Sequence, residues 1–347
     1  HYPLRRQRQM CIRDRNVVVL GSGVMGSGIA CQLANVGLKV LMLDILPQGQ
    51  SQKNKSNRNS VAQDALTKAI KSKPAPLYKK EYASRITVGN FEDDFEKIQG
   101  ADWIIEVVVE RLDIKQQIFE KVEQYRQKGS IVSSNTSSIP ISQLSEGRSA
   151  EFKKHFCGTH FFNPPRYLRL LEIIPILETQ PELIDFFMHF GEINLGKQTV
   201  LCKDTPAFIA NRIGVMSGVK VFDLTQKYDL SIEEVDALTG SLIGRPNTGT
   251  FRLQDLVGLD TGEKVTQFVV NNVKNDSFFE SVGKVPETKF MTFLLENNFL
   301  GNKTGKGFYQ KTNQKDEKGK TIINALNLKT LEYNPSVRPK NLSLIHI

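Results

Sequence analysis

Val17-Val18-Val19-Leu20 is an unbroken apolar run closed by glycine, the pattern of a strand buried on both faces of a parallel sheet. Apolar positions then recur at helical spacing from Met25 to Val36 and stop at Gly37. Val40 to Leu43 forms a second apolar run, ending at Asp44, so the segment predicts a βαβ unit. Residues 47–60 are rich in Gln, Asn, Ser and Lys; Val61 to Lys71 reads as a surface helix broken by Pro74 and Pro76. Further strands are expected over Trp103–Val109, Ser130–Ser133, His155–Phe162 and Leu170–Ile174, with a helix over Asp113–Gln127. Strands alternating with helices predict an α/β fold with a doubly wound, mostly parallel sheet. The period changes after Asp204. Apolar-periodic stretches over Pro206–Tyr228, 252–271 and 286–298, with a Ser231/Glu234 capping box between, predict an all-helical C-terminal domain.

The expected organisation is therefore a sheet domain over 16–204, a helical domain over 205–310 and a polar, Asn/Lys-rich linker over 311–347. The chain starts at His1, and the strings Met10–Arg15 and Leu342–Ile347 resemble translated sequencing-library adaptor. Residues 1–15 and the extreme C-terminus are accordingly expected to be non-native, and the native part to be truncated.

Charge adds little once it is located. Of 46 basic and 37 acidic side chains, residues 1–15 hold five and one, and residues 311–347 hold seven and three. That leaves 34 and 33 in between, so the formal charge of +9 sits at the ends and no nucleic-acid face is expected. Cys11, Cys31, Cys157 and Cys202 lack CxxC spacing, which argues against a metal site or a disulfide framework. Reduced thiols suit a cytoplasm, and no apolar run approaches a membrane span.

Gly21-Ser22-Gly23-Val24-Met25-Gly26 follows a predicted strand and opens a predicted helix, with Asp44 eighteen residues beyond Gly26. In that context the string is a dinucleotide fingerprint. Gly21 permits the turn, Gly23 lets backbone approach a pyrophosphate, Gly26 lets helix and strand close up, and the helix N-terminus attracts phosphate. Asp44 would accept hydrogen bonds from the adenine-ribose hydroxyls and repel an added phosphate, which favours NAD over NADP. The glycines alone leave FAD open. A Rossmann-type sheet is the expected fold.

His160 sits in the apolar string Gly158-Thr159-His160-Phe161-Phe162-Asn163-Pro164, and Glu172 lies twelve residues on within Leu170-Leu171-Glu172-Ile173-Ile174. A carboxylate in a buried strand is costly unless paired, so a His160–Glu172 pair accounts for both. Such a pair makes a general base, and spacing does not separate that role from structural burial. Ser134-Asn135-Thr136-Ser137-Ser138 falls at a strand's C-terminal end, where doubly wound sheets bind ligands, though polar turns look alike. Asp204–Arg212, with Asn211, reads first as a capped helix start; Glu110 and Lys115 read first as solvated helix-end charges.

Together these segments resemble the L-3-hydroxyacyl-CoA dehydrogenase family, as does the closing Gly301-x-Lys303-x-Gly305-x-Gly307-Phe308-Tyr309. The resemblance runs from about Asn16 to about Gln310, five motifs in order. It implies NAD as cofactor, (S)-3-hydroxyacyl-CoA and 3-ketoacyl-CoA as substrates, and His160 as base with Glu172 as partner. Ser137 and Asn211 would hold the substrate oxygens, and Glu110, Lys115 and Asn135 would lie near the cofactor and the CoA moiety. The CoA phosphates need basic partners, for which Lys115 and the lysines of Lys68–Lys80 are candidates. The insert Lys73-Pro74-Ala75-Pro76-Leu77 is similar to the dehydrogenase part of long fatty-acid β-oxidation proteins of bacterial type. Homodimerisation, or burial within a longer chain bearing an enoyl-CoA hydratase domain, is then expected. Thr250 stands where the family commonly has proline, which bears on a loop of the helical domain and not on the chemistry.

Overall fold

A computed structural model describes residues 15–49, 57–282, 288–337 and 339. The expected non-native strings, apart from Arg15, lie outside those residues, as does half of the polar stretch before the surface helix. The chain divides into two compact units at Ile209/Ala210.

In the first unit, β1 (Asn16–Leu20) sends Val17 and Val19 to one face and Val18 and Leu20 to the other. Both sets are buried, because helices cover both faces of the sheet. α1 (Val24–Asn35) covers the first face with Ile29 and Leu33, and α2 (Ser60–Lys71) with Leu66. α3 (Leu112–Tyr125) covers the second with Phe119 and Val122. The remaining strands are β2 (Lys39–Asp44), β3 (Ile86–Asn90), β4 (Trp103–Glu106), β5 (Ile131–Ser134), β6 (Phe156–Phe161), β7 (Leu170–Pro175) and β8 (Gln198–Leu201). They line up as β3-β2-β1-β4-β5-β6-β7-β8, parallel throughout except at β6/β7. This is the Rossmann-type order expected, and it puts the C-terminal ends of β1, β4, β5 and β6 along one edge.

The edge strands β3 and β8 were not among the predicted strands, nor was α4 (Pro181–Ile193). β8 is exposed at both ends, and β3 alternates Thr, Gly and Asn among its apolar residues, so neither forms an apolar run. Trp103–Val109 gives a strand only to Glu106, where the chain leaves the sheet.

The second unit carries helices where expected: α5 (Ala210–Lys227), α6 (Ile232–Thr239), α7 (Phe251–Val257), α8 (Leu259–Asn272) and α9 (Lys289–Glu296). The Ser231/Glu234 capping box forms as predicted. The single helix expected over 252–271 is broken at Gly258, whose φ is +97°. The expected linker is a correction. β9 (Tyr309–Lys315), β10 (Thr321–Leu326) and β11 (Tyr333–Pro335) form an antiparallel sheet, and Ala325 and Leu326 enter the same core as Phe251 and Phe308. A sheet with one solvated face needs apolar residues only at alternate positions, so Asn/Lys-rich composition concealed it. Asp316 turns the chain between β9 and β10 by accepting from the N–H groups of Lys318 and Lys320. The helical domain expected over 205–310 therefore stands, and the small sheet occupies the stretch read as a linker.

Asp255 ties that sheet down. Its two carboxylate oxygens accept from the N–H groups of Phe308 and Tyr309, each at 2.8 Å, and its side chain is buried. Removing it leaves two buried amides without acceptors, at about 1–3 kcal/mol each. Asp255→Ala should therefore destabilise the intact chain to urea by about 2–5 kcal/mol, and Asp255→Asn, which keeps one acceptor, by roughly half as much. Equal unfolding midpoints for Asp255→Ala and wild type would show that the amides find other partners.

Candidate active site

The β1–α1 turn is built by steric exclusion. Gly21 has φ +104°, and a Cβ there would stand 2.6 Å from the Val107 carbonyl oxygen. A Cβ on Gly26 would lie 2.0 Å from the Gly21 carbonyl oxygen, so only glycine lets α1 start this close to β1. Gly23 is the opposite case: nothing lies within 4 Å of where its Cβ would be. The loop thus leaves open space in front of the first turn of α1, whose N-terminus has no side-chain cap. Free N–H groups facing open space suit a phosphate. Val24 is exposed there and Met25 is partly buried against the sheet core.

Asp44, at the end of β2, is fixed at the mouth of this loop. Its Oδ2 accepts from the Ser22 N–H at 2.6 Å and the Ser22 hydroxyl at 2.5 Å, and its Oδ1 from the Ile45 N–H at 2.7 Å. The acid and the loop are therefore one hydrogen-bonded structure.

At the C-terminal ends of β4 and β5 a second network forms. Glu106, fully buried, accepts from the Val108 N–H and the Lys115 ammonium at 2.7 Å each and from the Ser134 hydroxyl at 2.5 Å. Glu106 was absent from the sequence-based candidates; an acid inside Trp103-Ile104-Ile105-Glu106-Val107 carried the same signal that singled out Glu172. Glu110 Oε1 accepts from the Thr136 and Ser138 hydroxyls and the Ser137 and Ser138 N–H groups, between 2.6 and 3.2 Å. Burial opposes its charge, but Lys115 and these hydrogen bonds prevail and hold the Glu110 carboxyl below the usual carboxylate range. Lys115 is a correction to the expectation of a solvated cation that could meet CoA phosphates. Its side chain is 1% exposed and lies between Glu106 and, at 3.2 Å, Glu110. Burial alone would lower its pKa, but the two carboxylates raise it, so the ammonium is held inside as an organiser of the turn.

Asn135 links this turn to β6, its side-chain carbonyl accepting from the Phe161 N–H at 2.9 Å. Ser137 stands half-buried in the turn that Glu110 caps. One residue before Phe161, His160 faces Glu172 directly across the antiparallel β6/β7 pair. His160 Nδ1 and Glu172 Oε2 are 2.7 Å apart, Glu172 is fully buried, and its Oε1 accepts from the Ile209 N–H at 3.1 Å. Phe162 and Phe208 flank the imidazole, with ring centroids 4.3 and 5.9 Å away. The pair expected from spacing is thus formed, in an apolar wall.

Glycine loop, Asp44, the Asn135–Ser138 turn and His160 all lie at the same sheet edge. Asn211 lies on the second unit, in the first turn of α5. Among the described residues no cluster of three His, Cys, Asp or Glu side chains is placed to hold a metal ion, and no helix is long and apolar enough to cross a membrane.

Comparison with known proteins agrees over both units. The family model described as 3-hydroxyacyl-CoA dehydrogenase, NAD binding domain, matches residues 16–205, and that of the C-terminal domain matches residues 208–311. A relative from Bacillus subtilis named as a 3-hydroxyacyl-CoA dehydrogenase is 48% identical over 95% of this chain and 42% of its own length. One of the same name from Deinococcus radiodurans is 43% identical over 89% of this chain and 86% of itself. A Rickettsia prowazekii protein named as a fatty acid oxidation complex trifunctional enzyme is 35% identical over 92% of this chain and 43% of its length. The chain therefore spans less than half of two of these three relatives. The crystal structure of (S)-3-hydroxybutyryl-CoA dehydrogenase from Ralstonia eutropha is similar at a TM-score of 0.65, with 30% identity over 84% of this chain and 97% of that one. Matched in both units and at this level of identity, the chain belongs to the 3-hydroxyacyl-CoA dehydrogenase family, and its first unit is the family's NAD-binding domain.

Proposed function

We propose that the chain interconverts (S)-3-hydroxyacyl-CoA and 3-ketoacyl-CoA, with His160 as general base and Glu172 as its fixed counter-charge. The observation that carries this is the 2.7 Å contact between His160 Nδ1 and a fully buried carboxylate. With the Nδ1–H donating to Glu172, Nε2 is the nitrogen left with a lone pair. Oxidising a secondary alcohol removes a hydroxyl proton and a hydride from the same carbon. His160 Nε2 takes the proton, and the carboxylate offsets the imidazolium charge inside an apolar wall. NAD, held by the open glycine loop and by Asp44, supplies the hydride acceptor when bound. In the reverse direction the imidazolium returns the proton to the developing alkoxide. Ser137 holds a substrate oxygen, and Glu106, Glu110 and Lys115 keep its turn rigid.

The acyl group needs a handle, and the first unit offers one. Lys68, Lys71, Lys73, Lys79 and Lys80 are all exposed around the end of α2 and the Pro74–Leu77 segment, a set suited to CoA phosphates. Binding energy from such a remote group orients the reacting carbon and so raises kcat. Lengths of the Bacillus and Rickettsia relatives support a further reading, that this chain is the dehydrogenase part of a longer bacterial β-oxidation protein. Exposed Ile213, Leu253, Leu256 and Val257 on the second unit support its burial against another copy or a further domain.

The test is NADH oxidation with acetoacetyl-CoA, acetoacetyl-pantetheine and free acetoacetate. The order of kcat/KM should follow that order of substrates, with acetoacetate hardly used. Turnover of acetoacetate as fast as the thioester would sink the acyl-CoA assignment while leaving the NAD site intact. Changing the five lysines to Gln together should raise KM for acetoacetyl-CoA by roughly tenfold, at ~0.2–1 kcal/mol per exposed charge, and flatten its salt dependence. An unchanged salt dependence in that variant would place the phosphates elsewhere.

A further inference from the structure

We infer that Arg166 is a positioning residue that couples the lysine-bearing arm to the His160–Glu172 hairpin, so that a charge captured on the arm is felt at the reacting carbon. This rests on the proposal that the arm takes the CoA handle.

Residues 162–169 join β6 to β7, the two strands that carry the pair. This connection is rigid on its inner side. The Tyr167 and Leu168 N–H groups both donate to the Pro164 carbonyl at 3.0 Å. The buried Lys197 ammonium donates to the carbonyls of Pro165 and, at 2.6 Å, Leu168. Pro165 lies against α1 so closely that a Cβ on Gly28 would come within 2.9 Å of its ring.

On its outer side the same connection grips the arm. Arg166 Nη1 donates to the carbonyls of Ala75 at 2.6 Å and Leu77 at 2.9 Å, and the Tyr167 hydroxyl donates to Ala75 at 2.9 Å. The guanidinium also stacks over Tyr78, 4.6 Å from its ring centroid. From behind, Asn35 of α1 donates to the Pro76 carbonyl at 2.9 Å and accepts from the Tyr78 N–H at 2.8 Å. Ala75 to Tyr78 is thus held between α1 and the hairpin connection, with Lys73 just before it and Lys79 and Lys80 just after. A loop serving only as surface would not need a guanidinium spent on two of its carbonyls. Nη1 has one N–H for each carbonyl, while the planar guanidinium lies over Tyr78, a stacking that an ammonium cannot reproduce.

The consequence is a split between kcat and KM. In wild type, kcat should be higher for acetoacetyl-CoA than for acetoacetyl-pantetheine, because the handle orients the thioester through the arm. Arg166→Ala should reduce that kcat ratio by roughly tenfold, toward one, with KM for the CoA substrate rising as well. Arg166→Lys should recover part of the ratio, and Tyr167→Phe, a milder change, should lower it by about twofold. NADH affinity, measured by fluorescence titration in each variant, reports whether the nucleotide loop and α1 remain folded. Equal loss of kcat for both thioesters, with NADH binding intact, would reduce Arg166 to a structural role and overturn the coupling. So would an unchanged ratio in Arg166→Ala and Tyr167→Phe. Failure of the underlying reading shows up separately, as a wild-type enzyme that does not distinguish the two thioesters.

Discussion

Replacing His160 with Gln should lower kcat for acetoacetyl-CoA reduction by roughly 10²–10⁴-fold, the usual worth of a general acid–base group. Gln is polar and of similar size, and the β6/β7 register is held by the backbone ladder, so the strand pair should stay folded. What Gln cannot do is carry the proton. NADH binding should be unchanged, since Gly21–Gly26 and Asp44 hang on β1 and β2, with β4 and β5 between them and β6. Glu172→Gln should also cost activity, with the imidazole intact but the fixed negative charge gone. It keeps an oxygen for the Ile209 N–H, so its loss would be chemical before it is structural. Single-turnover measurements with saturating NADH separate the chemical step from product release. A His160→Gln enzyme turning over at near wild-type rates would remove the pair from the mechanism.

The same buried pair shows where sequence reading succeeds. An acid in the run Leu170–Ile174 and a histidine before two phenylalanines each break a local rule, and a pairing mends both at once. Glu106 broke the same rule and went unread, because its partner Lys115 looked like an ordinary helix-end cation. Only three-dimensional structure shows that α3 starts beside the end of β4 and carries Lys115 inward. Apolar density governed the rest. Strands buried on both faces, such as β1, β2 and β4, announce themselves as continuous runs. Strands with an exposed side or edge, such as β3, β8 and the β9–β11 sheet, carry too few apolar residues to stand out, and the last of these read as a linker. Gly258 shows the opposite error: a continuous helical period over 252–271 conceals a break that depends on one backbone angle.

Cofactor choice is the second large effect, and it rests on a charge with a fixed position. Asp44 is locked by Ser22 and Ile45, so its carboxylate cannot swing away from a nucleotide seated on the glycine loop. NADP would bring a phosphate to the ribose position that this acid faces in the fingerprint geometry. Like charges so juxtaposed cost several kcal/mol, and each 1.4 kcal/mol is a factor of about ten. NAD should therefore exceed NADP in kcat/KM by at least about 10²-fold. Asp44→Asn keeps the size of the side chain and an oxygen for the Ser22 N–H while removing the charge. In that variant the preference should shrink to within about tenfold, chiefly because NADP improves. The comparison is best made at low and high salt, since screening should narrow the wild-type gap and leave the variant's gap nearly fixed. Two results would count against this account. Comparable use of both cofactors by wild type would mean that Asp44 faces away from the ribose. An equal fall for both in Asp44→Asn would mean that the acid serves only to hold Ser22 and the shape of the loop.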